Sequence, residues 1–174
     1  IVFIFTDPVL DSCDGLHVLK SYLQDFLDRG RQLWPLADNL VEQGMNDTLA
    51  NRCVEMHCHY FHANRLHHLD EEHGLFPMIV DRSELINGMI ERLVLDHEEI
   101  EEEWNALGTM LARPGEISDF KRLRELAVSF EKTLREHVTR EEEDFLPELE
   151  NMLSPDQKKK AGEAMANLRH LQIA

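Results

Sequence analysis

One eleven-residue pattern of histidine, glutamate and proline occurs twice in the chain. Residues 67–77 read HHLDEEHGLFP and residues 137–147 read HVTREEEDFLP, so the copies lie 70 residues apart. In each copy a glutamate follows a histidine by four residues, and the copy ends on a proline. Side chains four residues apart lie on one face of an α-helix, where an imidazole and a carboxylate can bind the same cation. The repeat therefore predicts a metal site with ligands from two helices.

The candidate ligands fall on the apolar faces of three helices, each with a histidine and a glutamate one turn later: His67, Glu71, His97, Glu101, His137 and Glu141. Unpaired glutamates are almost never fully buried, so several at one depth of a bundle require a cation between them. Glu72 repeats the spacing with His68, but on a face about 100° away from the apolar one. We expect this second pair to lie at the surface or behind the ligands.

The first helix offers a less regular ligand. His17 is its only histidine, and it lies about 100° from the middle of the apolar face. Asp14, three residues earlier, is an alternative that would supply an oxygen. We therefore expect His17 to complete the ligand set and keep Asp14 as the alternative.

Helical periodicity between Pro, Gly, Asn and Asp residues predicts four long helices and a shorter fifth. The long helices are expected at about 14–30, 48–74, 84–112 and 118–149, and the fifth follows Ser154. Only residues 1–5 carry an apolar run that resembles a strand. Four helices with short joints predict an all-α fold, an antiparallel up-down four-helix bundle with a short extra C-terminal helix.

Composition and charge exclude several classes of partner. The chain has 18 Lys+Arg against 34 Asp+Glu and a formal net charge of −16. Nucleic acids and anionic membrane surfaces bind clustered Lys and Arg, so we expect neither. Apolar stretches are too short for a membrane span, and three cysteines without framework spacing favour a reducing compartment. We expect a cytoplasmic single domain over 1–174, with a core at about 8–150 and a helical tail at about 154–170.

Three segments resemble the motifs of bacterial hemerythrin-like proteins, the HHE cation-binding domains: YFHANRLHHLDEEHGLFP (60–77), LDHEEIEEEW (95–104) and HVTREEEDFLP (137–147). The resemblance covers about residues 8–150. It implies a four-helix bundle that holds two non-heme irons bridged by carboxylates, a site in which manganese or zinc could replace iron. The implied roles are histidine ligands at His17, His67, His97 and His137, with bridging carboxylates at Glu71 and Glu141.

Two departures from the oxygen-carrying hemerythrins refine the expected function. Those proteins have a second histidine four residues after the third-helix histidine, where this chain has Glu101, and an aspartate where it has Glu142. The pattern is more similar to carboxylate-rich members associated with iron sensing or with nitrosative and oxidative stress. We expect a binding protein rather than an enzyme, whose partner is O2, NO or peroxide, and which could form a homodimer.

Other metal and catalytic classes find little support in the sequence. A ferritin-like di-iron oxidase needs Glu-x-x-His on two helices, and the chain has no such motif. His57, Cys58, His59 and His62 scatter around one helix and cannot close a tetrahedral site. Phosphate-binding glycine loops, nucleophile elbows and HExxH are also missing from the sequence. The remaining alternative is a helical interaction protein with a degenerate or vacant metal site, which the position of His17 favours.

Overall fold

The computed structural model describes residues 5–10 and 12–171 and is all-helical, without a strand in those ranges. Residues 1–4, most of the strand-like run, lie outside the described residues. Two π-helical segments, Asp70–Leu75 and Glu141–Phe145, interrupt long helices, and 3-10 turns lie at Pro8–Leu10 and Pro114–Glu116. Among the described helices, none is long and apolar enough to cross a membrane. The α-helices are α1 (Gly15–Gln43), α2 (Asp47–Leu69), α3 (Phe76–Ile79), α4 (Glu84–Ala112), α5 (Phe120–Arg140), α6 (Leu146–Met152) and α7 (Pro155–Leu171).

Side-chain caps start the four long helices. The Asp14 carboxylate accepts the backbone N–H groups of Leu16 and His17 at 2.9 and 3.2 Å. Asn46, Ser83 and Asp119 accept one N–H each at the starts of α2, α4 and α5. Such caps satisfy N–H groups that the helix itself leaves without a partner.

The predicted end of the first helix near residue 30 is wrong, because α1 continues through Gly30 and Pro35 to Gln43. Glycine and proline both disfavour a helix interior, but that preference is weak against the burial of a continuous apolar face. Burial of this face stabilises more than three further turns of α1 beyond residue 30, and the helix packs there against α2 and α5. The buried residues of this added part are Leu33, Leu36, Ala37 and Leu40.

Both copies of the repeat widen into π-helix at their glutamates. In each copy the residue before the proline donates its N–H to the carbonyl five residues back, which belongs to Glu71 or Glu141. Pro77 and Pro147 have no N–H, and a proline ring crowds the carbonyl four residues before it, so regular α-helix is disfavoured at this place. Single π turns inside helices occur frequently at functional sites. The repeat therefore places Glu71 and Glu141 on the same kind of irregular backbone, one in each copy.

Pairwise packing closes the long helices into a ring. Helix α1 contacts α2 and α5, and α4 contacts the same two helices. Large side chains fill the centre, among them the fully buried Tyr22, Phe26, Tyr60 and Phe130. Helix α7 lies outside this ring, against α1 and the π-helical segment Asp70–Leu75.

A buried ion pair anchors α7 to that segment. Arg169 donates Nη1 and Nη2 to the two carboxylate oxygens of Asp70 at 2.7 and 2.8 Å, and it also pairs with Asp7. Nη2 also donates to the Tyr22 hydroxyl oxygen at 3.2 Å. Burial raises the pKa of Asp70 to about 6, although Arg169 acts in the opposite direction. Because Asp70 precedes Glu71 in the chain, Arg169 holds the backbone beside a candidate ligand.

We expect Arg169→Ala to lower the free energy of unfolding by about 3 kcal/mol, because it leaves the fully buried Asp70 carboxylate without its partner. Urea denaturation of both proteins measures the difference. Arg31→Ala is the control, since Arg31 is 76% exposed and its ion pair with Asp28 should contribute less than about 1 kcal/mol. Equal losses in the two variants would contradict the anchoring role of Arg169.

Candidate metal centre

Six buried side chains from α2, α4, α5 and the two π-helical segments converge between the helices. They form two groups, and within each group the candidate ligand atoms lie within 4.8 Å of one another. His137 belongs to both groups, so the groups lie side by side. The first group is His67, Glu71, His137 and Glu141, and the second is His68, His97 and His137.

Each glutamate reaches imidazoles of two different helices. Glu141 Oε1 lies 3.1 Å from His67 Nε2 and 2.6 Å from His137 Nε2. Glu71 Oε2 lies 3.0 Å from His97 Nε2 and 3.7 Å from His67 Nε2. Both carboxylates therefore occupy the middle of the cluster, between the helices that carry the histidines.

The carboxylates and imidazoles of this cluster change one another's pKa values. Burial raises the pKa of Glu71, and the neighbouring Glu141 raises it further. Burial would also raise the pKa of Glu141, but His67 and His137 outweigh it and hold that pKa well below its usual range. Burial lowers the pKa of His137, yet Glu141, Asp96 and Glu71 together raise it to about 10. A proton on His137 therefore balances part of the buried carboxylate charge when no cation does so.

The donor atoms of the cluster fit a metal ion. Several of them are buried and make no hydrogen bond within residues 5–10 and 12–171, namely Nδ1 of His67, both ring nitrogens of His68, Oε1 of Glu71 and Oε2 of Glu141. A buried polar atom without a partner costs about 1–3 kcal/mol, so this concentration of them indicates a site for an ion. Imidazole with carboxylate is a donor set that suits iron, manganese and zinc.

Carboxylates outside the two groups orient the imidazoles. Glu72 Oε1 lies 2.6 Å from His97 Nδ1, and Asp96 Oδ2 lies 3.5 Å from His137 Nδ1. Arg140 donates to both oxygens of Asp96 at 2.7 and 3.0 Å. Burial alone would raise the pKa of Asp96, but His137 and Arg140 lower it to about 2, so the carboxylate stays ionised. Acceptors on Nδ1 direct Nε2 toward the centre, as around metal-binding histidines generally.

The structure brings together five of the seven predicted ligands and leaves two outside. His17 is exposed and lies in neither donor group, while Asp14 uses its carboxylate to cap α1. The Glu101 side chain is 66% exposed, and its Oε1 lies 3.7 Å from His68 Nδ1. The five that converge are His67, Glu71, His97, His137 and Glu141, and their role as ligands stays a prediction.

His68 is the donor that the sequence reasoning missed. It is buried and stacks on His97 with the ring centroids 3.9 Å apart, and Glu72 pairs with His97 instead of His68. The reason is that α2 is flanked by both α1 and α4, which widens its buried face beyond one line of residues. The width is visible in the structure as adjacent residues that are buried in pairs, 63–64 and 67–68 in α2 and 70–71 and 74–75 in the π-helical segment. Because Asn64, His68 and Asp70 are polar, an apolar pattern in the sequence does not mark it.

Comparison with known proteins assigns the family. The model of the hemerythrin HHE cation-binding domain matches residues 14–149. The chain belongs to this family. An uncharacterized protein of Haemophilus influenzae is 35% identical over 81 residues, which are 47% of this chain and 47% of that protein. The chain thus matches about half the length of this curated relative. The region that matches the HHE domain contains every buried donor of the cluster and ends before α7.

The geometry predicts opposite effects for two histidine substitutions. His68→Ala removes a buried donor and should weaken metal binding at least tenfold. Even the loss of a residue that only hydrogen-bonds to a metal ligand lowers metal affinity about 10- to 100-fold. His17→Ala removes an exposed side chain and should leave affinity within about twofold, since it lies outside both groups. Competition against a chelator measures both affinities. Loss of binding in His17→Ala with none in His68→Ala would contradict the assignment.

Metal binding should release protons, because the raised pKa of His137 keeps its imidazole protonated at pH 7 and only the neutral ring can bind a metal. The affinity of the centre should consequently be lower at pH 6 than at pH 8. Calorimetric titrations in two buffers of different ionisation enthalpy count the protons released. His17→Ala should release the same number, and a titration that releases none would refute the protonation proposed for His137.

Proposed function

We propose that this chain is a non-heme di-iron binding protein whose centre binds O2, NO or peroxide. The observation that carries the proposal is the pair of buried donor groups that share His137. Because one residue belongs to both groups, the groups are adjacent, as the two sites of a di-metal centre must be. Manganese or zinc could replace iron, since the donor set suits all three.

Glu71 and Glu141 are the proposed bridging carboxylates. Each has an oxygen within 3.7 Å of imidazoles from two helices, which supports a position between two ions rather than beside one. In this proposal His67 would hold one ion and His68 with His97 the other, and His137, which belongs to both donor groups, would lie within reach of both.

The bound irons would supply electrons and an open coordination position for a small ligand. Aromatic residues of the chain exclude water from the sides of the cluster that they cover. The rings of Tyr22 and Phe26 on α1 each lie 5.3 Å from the His67 ring, and the Phe76 ring stacks on His97 at 6.3 Å. Helix α1 therefore contributes an aromatic wall to the centre and leaves the donors to the other helices.

The helix topology, the cellular role, the location and the oligomeric state belong to the same proposal. The ring of helix contacts and the short connections support an antiparallel up-down arrangement of α1, α2, α4 and α5. A role in sensing, iron handling or stress protection follows from the resemblance of the motifs, as does a cytoplasmic location from the cysteine content. A homodimer also remains a prediction.

Metal analysis with a visible spectrum tests the proposal on protein purified under air and again after anaerobic reduction. We expect two irons per chain and charge-transfer absorption that disappears on reduction, followed by a new spectrum when NO is added. Glu141→Gln should lower the iron content, because it removes a buried charge that faces two imidazoles. His62→Ala is the control, since His62 is an exposed histidine on the same helix as His67.

A specific observation favours one alternative, a helical interaction protein with a degenerate or vacant metal site. The exposed position of His17 means that α1 supplies no ligand from the position that the resemblance implied. The same analysis separates the two functions. A wild-type protein that retains no metal and takes up no added ferrous iron would support the alternative and refute the di-iron proposal.

A further inference from the structure

Two carboxylates extend from the buried imidazoles to the protein surface. Glu72 Oε1 lies 2.6 Å from His97 Nδ1, and 34% of the Glu72 side chain is exposed. Glu101 is more exposed, and its Oε1 lies 3.7 Å from His68 Nδ1. His68 and His97 stack on each other directly beneath these carboxylates, with 14° between the ring planes. A continuous series of metal-binding groups therefore leads from solvent to the centre.

His68 makes this series more than an acidic patch. Its side chain is only 5% exposed, neither ring nitrogen makes a hydrogen bond within the described part of the chain, and Nδ1 faces Glu101. A buried imidazole with unused nitrogens that faces a solvent-exposed carboxylate is suited to accept a cation from it. The candidate ligand atoms of His68 then lie within 4.8 Å of those of His97 and His137, inside the second donor group.

Two other sides of the cluster are unfavourable to a divalent cation. On the α1 side, the rings of Tyr22 and Phe26 pack against His67. On the side of Asp96, two guanidinium groups, of Arg92 and Arg140, bind that carboxylate and would repel a cation. The side of Glu101 instead carries a second exposed carboxylate, that of Glu98 three residues earlier on the same face of α4, and the negative potential of the pair concentrates divalent cations.

We propose that Glu101 and His68 form the route by which a divalent cation reaches the buried centre, with Glu101 as the first contact and His68 as the relay. This inference rests on the proposed function, since it requires that the centre bind metal. In this proposal Glu101 delivers the cation to the centre and is not one of the final metal ligands.

Stopped-flow mixing of the apo-protein with Fe²⁺ under anaerobic conditions tests the route, with unbound iron captured by a chelator at each time point. We expect Glu101→Gln to slow uptake about threefold and Glu101→Lys about tenfold, while the final iron content stays that of the wild type. Glu99→Gln is the matched control, because it removes the same charge from an exposed position of α4. Its uptake rate should stay within about twofold of the wild-type rate.

Added salt provides a second measurement. Wild-type uptake should slow as ionic strength rises, because salt screens the field of the exposed carboxylates, and Glu101→Lys should lose this dependence. Wild-type rates in both Glu101 variants would overturn the route while leaving the metal centre intact. A lower final iron content in Glu101→Gln would also overturn it, by making Glu101 a ligand. A wild type that takes up no iron would instead refute the proposed function itself.

Discussion

The structure depends on the burial of two glutamate carboxylates among four histidine rings in the middle of a helical core. Both glutamates are fully buried, where an unpaired charge would cost several kcal/mol. The surrounding imidazoles reduce that cost. The imidazoles of His67, His97 and His137 face the carboxylate oxygens, and Asp96 and Glu72 in turn hold two of those imidazoles from behind. Within the described residues, several buried nitrogen and oxygen atoms of this arrangement still make no hydrogen bond, which a purely structural polar core would avoid.

The backbone that carries the two glutamates is the least regular part of its helices, and each copy is supported differently. The first copy lies under α7, where Arg169 binds Asp70 from a helix beyond the region that matches the family. In the second copy, Arg140 precedes Glu141 and binds Asp96 on α4. An arginine–aspartate pair therefore holds the backbone at each π-helical segment. Both pairs use the residue directly before the glutamate, which is the aspartate in the first copy and the arginine in the second.

Charge is distributed unevenly around the centre, and the distribution relates the surface to the buried site. Excess negative charge belongs mostly to exposed side chains, whereas the guanidinium groups beside the centre are engaged by buried aspartates. One side of the cluster thus presents carboxylates to solvent, while a second presents aromatic rings and a third presents ion-paired arginines. An asymmetric surface of this kind gives a buried cation site a preferred direction of approach.

The sequence by itself determined where the long helices begin and that the histidine and glutamate of each repeat copy share a helix face. Both follow from local geometry within one helix, namely capping residues and four-residue spacing. It also contained the two prolines that accompany the π-helical turns. Tertiary structure alone decided that His68 turns inward and that Glu101 and His17 remain exposed, since burial depends on which helices flank a face. It likewise decided the length of α1 and the pairing of Arg169 with Asp70, 99 residues apart. These features arise from contacts between helices, which the periodicity of one helix does not encode.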